Sequence, residues 1–120
     1  LTEALKRFAT GVYLLWYPNA LTEALKRFAT GVYLLWYPIV DAQRTKKMIK
    51  KITALPLKNL LQIELLVREP NGEGMAGSGM LVINSPWSLA AAMQEMLPWL
   101  VQKIAPEHGG YRVVSLVEAD

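Results

Sequence analysis

The chain contains no cysteine, which excludes disulfide bridges and thiolate-held zinc. It has one histidine, His108, in a glycine turn with no second histidine beside it, so no metal site is expected and the ring reads as solvated. For the same reason Ser78, Ser85, Ser88 and Ser115 lack a base, and a hydrolase triad is not supported. No apolar run approaches the roughly 20 residues that span a bilayer. Lys6 and Arg7 lead only into a short aromatic run ending at Tyr17-Pro18, unlike a secretory signal. No membrane contact is expected, and the expected location is cytoplasmic. The Gly72, Gly74, Gly77 and Gly79 cluster lacks the Gly-Lys-Ser/Thr ending of a phosphate loop and leads towards an apolar strand rather than a helix, so it reads as a hairpin connection.

What is present is 120 residues, 52% apolar and 19% charged, with a net charge of +3. These values fit one globular domain, and the mild basicity alone separates no function classes. The organising feature is a repeat: residues 1–18 (LTEALKRFATGVYLLWYP) return letter for letter at 21–38. Copies of this length without a substitution have not had time to diverge, so the tandem duplication is recent, engineered or an artefact, not ancient. Residues 1–20 form a duplicated helix-strand unit ahead of 21–120.

Each copy reads as a helix feeding a strand. In the second, Leu21, Ala24, Leu25 and Phe28 fall at helical spacing, Gly31 punctuates, and 32–37 is an unbroken apolar run. Such a run predicts a strand buried on both faces, as in parallel sheets with helical covers. The 14 residues joining 12–17 to 32–37 suffice for a parallel crossover. Asp41 is a candidate N-cap for a helix to about Leu55 with Met48, Ile49, Ile52 and Leu55 inward. Residues 59–67 read as the next strand, with Glu64 needing a partner if buried and reading as an edge or strand-end residue. Pro70-Asn71-Gly72 turns the chain, and 62–68 should pair antiparallel with 78–84. Ser88 can cap a helix to about Ile104 that Pro98 kinks or splits, and 111–117 is the last strand.

Three constellations could carry chemistry. Arg44, Lys46, Lys47, Lys50 and Lys51 project from about two helical turns with no acidic residue among them, which admits either a solvated surface or a phosphate-contacting face. Trp36, Tyr37 and Pro38 end a strand where open α/β sheets bind ligands, and their aromatics read as core and rim packing or as a stacking surface for a base. Asn84-Ser85-Pro86-Trp87 has the order of the polar-Pro-Pro-aromatic tetrad that holds a flipped adenine, but with Ser85 at the first proline. Its other reading is a strand-to-helix turn with Trp87 as a packing anchor.

From 21 to 120 the chain resembles the carboxyl-terminal portion of the J-type ribosomal RNA large-subunit adenine-N6 methyltransferases, a family also linked to the use of external DNA as a nutrient. The residues that carry the resemblance are Lys26-Arg27-Phe28-Ala29-Thr30-Gly31, Leu35-Trp36-Tyr37-Pro38, Gln62-Ile63-Glu64-Leu65, Gly77-Ser78-Gly79-Met80, Ile83-Asn84 with Pro86-Trp87, and Leu97-Pro98-Trp99-Leu100. It implies an α/β fold: a partial Rossmann-like methyltransferase sheet, mixed parallel and antiparallel, with helices on both faces. In the family the S-adenosylmethionine strands and the Asp-Pro-Pro-Tyr tetrad lie upstream of this portion, and neither is in this sequence. The resemblance therefore implies no catalytic residue and no cofactor in this chain, Trp36, Tyr37 and Pro38 as neighbours of the base site, and Asn84, Pro86 and Trp87 as a noncatalytic look-alike. It also implies that 12–17 stands where the tetrad-bearing strand would be.

The expected function is a derivative of an S-adenosylmethionine-dependent rRNA methyltransferase, inactive alone. The rival is a noncatalytic nucleic-acid-binding module or an engineered duplication scaffold. Expected partners are RNA or DNA, weakly held, and a second copy joined through an exposed sheet edge or a swapped N-terminal unit. Between the two copies, 32–37 should hold the interior place because only it is joined closely to the helix after Asp41.

Overall fold

The computed structural model describes residues 12–15 and 18–118. Along them run β1 (Val12–Leu15), α1 (Pro18–Arg27), β2 (Val32–Ile39), α2 (Ala42–Thr53), β3 (Leu60–Leu66), β4 (Gly77–Ile83), α3 (Leu89–Ile104) and β5 (Gly110–Val117). The helix expected in the first copy of the repeat, and Trp16 and Tyr17 beyond β1, lie outside the described residues. None of the described helices is long and apolar enough to cross a membrane.

The strands form one sheet in the order β1-β2-β4-β3-β5. β2, β4, β3 and β5 are antiparallel throughout, with Leu35 opposite Leu81, Gln62 opposite Leu81, and Glu64 opposite Arg112. β1 lies parallel to β2 in a register that sets each residue against its own copy, Val12 with Val32 through Leu15 with Leu35. The interior position of β2 and the outer position of β1 follow from chain length. Only β2 runs directly into α2 and the β3 to β4 hairpin that completes the sheet.

The expectation of a β2 buried on both faces, as in parallel sheets with helical covers, is corrected. Parallel pairing is confined to short β1, and burial along β2 alternates: Tyr33, Leu35, Tyr37 and Ile39 are buried, whereas Val32, Leu34 and Trp36 are half-buried and Pro38 is exposed. An antiparallel sheet presents successive residues to opposite sides, and here one side carries the main core. The apolar run concealed that alternation because both sides of the strand are made of apolar residues.

The core packs on the side of α1 and α2. Ala24, Tyr33, Leu35, Tyr37, Ile39, Ile52, Leu60, Leu81 and Ile83 form one cluster, edged by Met48, Ile49 and Leu55. α1 starts at Pro18, where a missing N–H leaves no helical bond unmade. Its expected inward residue Phe28 is instead exposed, because the helix ends at Arg27. The Tyr33 hydroxyl fixes that end by lying between the carbonyls of Ala24, at 2.9 Å, and Phe28. α2 is capped as its sequence indicates, Asp41 Oδ1 accepting from the Arg44 N–H at 2.9 Å.

α3 packs against β5 and β3 with Leu97 and Val101 buried. It covers the opposite side, where Leu61 and Val82, one step out of phase with the main cluster, are also buried. The expected Ser88 cap is corrected: Ser88 has helical backbone angles and makes no side-chain cap bond. Of the two outcomes expected at Pro98, a kink or a split, the split does not occur, and α3 continues through Pro98. Proline inside a helix removes one backbone bond, which sixteen residues of helix packed on two strands tolerate.

Inward and outward positions of β2 should therefore respond differently. Leu35→Ala should lower stability by about 2–5 kcal/mol, as for a buried leucine. Leu34→Ala, on the half-covered side, should lower it by less than half as much. Urea melts of the two variants check the order, and equal losses would mean that both sides of β2 are closed.

Candidate functional site

The polar centre of the molecule is assembled across three strands. Tyr37 on β2 reaches over β4 to β3, where its hydroxyl donates to Glu64 Oε2 at 2.7 Å. Gln62 Nε2 donates to the Tyr37 oxygen at 3.1 Å and lies 3.3 Å from Glu64 Oε2, and Arg112 Nε on β5 donates to Gln62 Oε1 at 3.1 Å. β2 and β3 are not neighbours, so the phenol crosses β4 at Gly79. A β-carbon there would overlap the Tyr37 ring. Gly77 is constrained likewise by the Leu65 and Leu66 backbone. The glycine-rich segment therefore makes room for packing.

This geometry corrects the reading of Glu64. It is only 8% exposed and sits mid-strand between two ladders, not at an edge or strand end. Its need for a partner is met by Tyr37 and Gln62, consistent with the rule that a buried charge is retained when hydrogen-bonded. Burial, and next the bond to Glu64, push the Tyr37 phenol well above its ordinary range.

Above this network a groove of about 430 Å³ opens between α2 and the sheet. Ile39, Ile49, Leu66 and Leu116 line it with apolar groups, Gln62 and Glu64 with polar ones, and Lys46 and Lys50 of α2 and Arg112 of β5 with positive charge. The structure thus separates the five cations of α2: Lys46 and Lys50 line the groove, while Arg44, Lys47 and Lys51 are exposed with them. Arg44 Nε also lies 3.6 Å from Asp41 Oδ2, a surface ion pair that moderates the charge of this ridge. Arg112 was not legible as a member of the site. Alternation with Val114 and Leu116 gives its side of β5, but nothing local gives its partner across the ladder.

Trp36, Tyr37 and Pro38 are not brought together as a stacking surface. The strand continues to Ile39, so they alternate: Tyr37 is turned into the core, while Trp36 and Pro38 face the other side. Among the described residues, Pro38 lies beyond the pairs made with β1, the last of which is Leu15 with Leu35. Asn84, Pro86 and Trp87 form the strand-to-helix turn. Asn84 adopts φ 58°, and its Nδ2 donates to the carbonyls of Ala29 at 2.9 Å and Gly31 at 2.8 Å, tying β4 to the entry of β2. Trp87 is 96% exposed, so the expectation that it anchors packing is corrected. The described residues contain no group of three acidic or histidine side chains able to hold a metal ion.

Residues 19–117 match the family model described as Ribosomal RNA large subunit methyltransferase D, RlmJ. The chain is 45% identical to Ribosomal RNA large subunit methyltransferase J of Escherichia coli over 118 residues, covering 98% of this chain and 35% of that protein. It is 47% identical to the protein of the same name from Haemophilus influenzae, covering 96% of this chain and 34% of that one. A crystal structure of a Legionella pneumophila protein superposes with a TM-score of 0.73 at 31% identity, over 82% of this chain and 36% of that protein. The chain thus spans about a third of the length of the curated relatives it matches.

The buried phenol sets an alkaline limit. A tyrosine titrates near pH 10 when unfolded. With its folded pKa raised, its contribution is fully present below about pH 10 and is lost as pH rises through that value towards the folded pKa. Tyr37→Phe should remove that part of the alkaline loss while costing about 1–3 kcal/mol at neutral pH, because Glu64 and Gln62 lose a partner. Gly79→Ala should be at least as damaging at neutral pH. Denaturant melts between pH 7 and 11 check both, and an unchanged slope in Tyr37→Phe would remove Tyr37 from the account.

Proposed function

Because this chain belongs to the ribosomal RNA large subunit methyltransferase family defined by the match over 19–117, we infer that it is the sheet-forming carboxyl-terminal portion of an S-adenosylmethionine-dependent rRNA adenine-N6 methyltransferase, inactive by itself. The observation that carries this reading is the use made of the glycines. Rossmann-like sheets bind nucleotide-containing cofactors beside a glycine turn between a strand and a helix. Here Gly72 and Gly74 turn a strand-to-strand connection, and Gly77 and Gly79 admit the Leu65 backbone and the Tyr37 ring. These residues do not fit the cofactor. Nor does the sequence contain an Asp-Pro-Pro-aromatic tetrad, and the Asn84 amide of its look-alike is committed to Ala29 and Gly31.

What this portion contributes is scaffold and charge. Arg44, Lys47 and Lys51 rise at helical spacing on exposed α2, a ridge suited to RNA or DNA phosphates and carrying no sequence information. β1 and β5, the outer strands among the described residues, offer backbone groups to a second copy, and a homodimer is the expected assembly.

Calorimetry with S-adenosylhomocysteine should give no heat of binding, and measurable binding would restore a catalytic reading. RNA binding should weaken with salt along a log-log slope of about −2 for single strands or about −2.7 for duplex as the three ridge cations engage phosphates. Replacing Arg44, Lys47 and Lys51 by Glu should abolish it, and undiminished binding would assign the ridge to solvent. Light scattering at high micromolar concentration should show a dimer, and a monomer would remove the edge-pairing model.

A further inference from the structure

We propose that the groove between α2 and the sheet binds single-chain amphiphilic anions, with the acid head group held by Lys46, Lys50 and Arg112 and the apolar body lying along Ile39, Ile49, Leu66 and Leu116. This inference is independent of the RNA ridge, which uses the neighbouring lysines.

The charge pattern selects the sign of the ligand. Lys46 and Lys50 stand one turn apart on α2, Arg112 stands on β5, and all three line the groove. Arg112 is oriented through its Nε bond to Gln62 Oε1, which leaves the planar end of the guanidinium for a bidentate acid group. The groove's carboxylate, Glu64, is engaged by Tyr37 and Gln62. Three cations against one committed carboxylate favour an anion over a cation.

The walls select the rest. A free inorganic anion would leave the half-buried aliphatic side chains of Ile49, Leu66 and Leu116 uncovered. A nucleic-acid strand would seek stacking platforms, and no aromatic residue lines the groove. An aliphatic tail covers those walls and removes apolar area from water. The volume of about 430 Å³ lies within the range of small-molecule sites.

The probe is octyl sulfate below its micelle-forming concentration, titrated into the full chain and followed by amide shifts. Saturable binding at one site, with the largest shifts at Ile49, Leu66 and Leu116, is expected. Octanol should bind at least tenfold more weakly, inorganic sulfate should bind weakly, and octyltrimethylammonium should leave these amides unmoved. The Lys46→Gln/Lys50→Gln variant should lose about tenfold or more in affinity, the effect of removing charge-assisted contacts. Lys47→Gln/Lys51→Gln, with the same loss of charge outside the groove, should bind as the parent does. Equal affinity for the cationic surfactant, equal losses in the two double variants, or shifts centred on exposed Trp87 and Trp99 would overturn the proposal. Both pairs of lysines are solvent-exposed, so neither variant removes core packing.

Discussion

The structure depends on one side chain crossing a strand. Strand order puts β4 between β2 and β3, yet the buried polar groups of β3 need a partner that β4, lined here by Gly79, Leu81 and Ile83, does not supply. Tyr37 supplies it by lying over Gly79 and bonding Glu64. One contact therefore fixes the register of two ladders at once. A one-residue slip of either strand would turn Tyr37 or Glu64 to the opposite side of the sheet. Buried ionised groups do not by themselves stabilise a fold, but their fully bonded arrangement distinguishes one register from its neighbours.

That fixed register explains how two identical segments take different places. Both offer the same side chains to the sheet, and local preference cannot choose between them. Connection lengths choose. β2 leads within two residues into the α2 helix and, through β3, into the β4 strand with which it pairs, whereas β1 reaches the sheet only through α1 and β2. The first copy takes the remaining position, beside its own repeat.

Features fixed by neighbours in sequence were legible: the Asp41 cap, the β3 to β4 hairpin around Pro70-Asn71-Gly72, and the basic face of α2. Features fixed by strand order were not. Glu64 resembles an edge residue until β5 is known to pair outside β3, and Gly79 resembles a flexible loop until Tyr37 is known to need its space. The exposure of Phe28 and Trp87 was equally hidden, because an aromatic residue at helical spacing or beside a strand end carries no mark of whether anything covers it. The site divided in the same way. Lys46 and Lys50 were visible as part of a charged helix, but their separation from Lys47 and Lys51, and their pairing with Arg112, arise only when the sheet is folded under them.

The register of β1 against β2 has a consequence for growth. Each residue of one copy lies beside the same residue of the other, as in a stack of identical sheets of paper, and every added layer presents the surface that received it. A ladder between unlike strands stops when its complementary partners are used. A ladder between like strands contains no terminal member, so its length is decided by whatever lies outside it. Residues 1–38 supply two such layers, and that supply is written in the covalent sequence instead of in the chemistry of the contact.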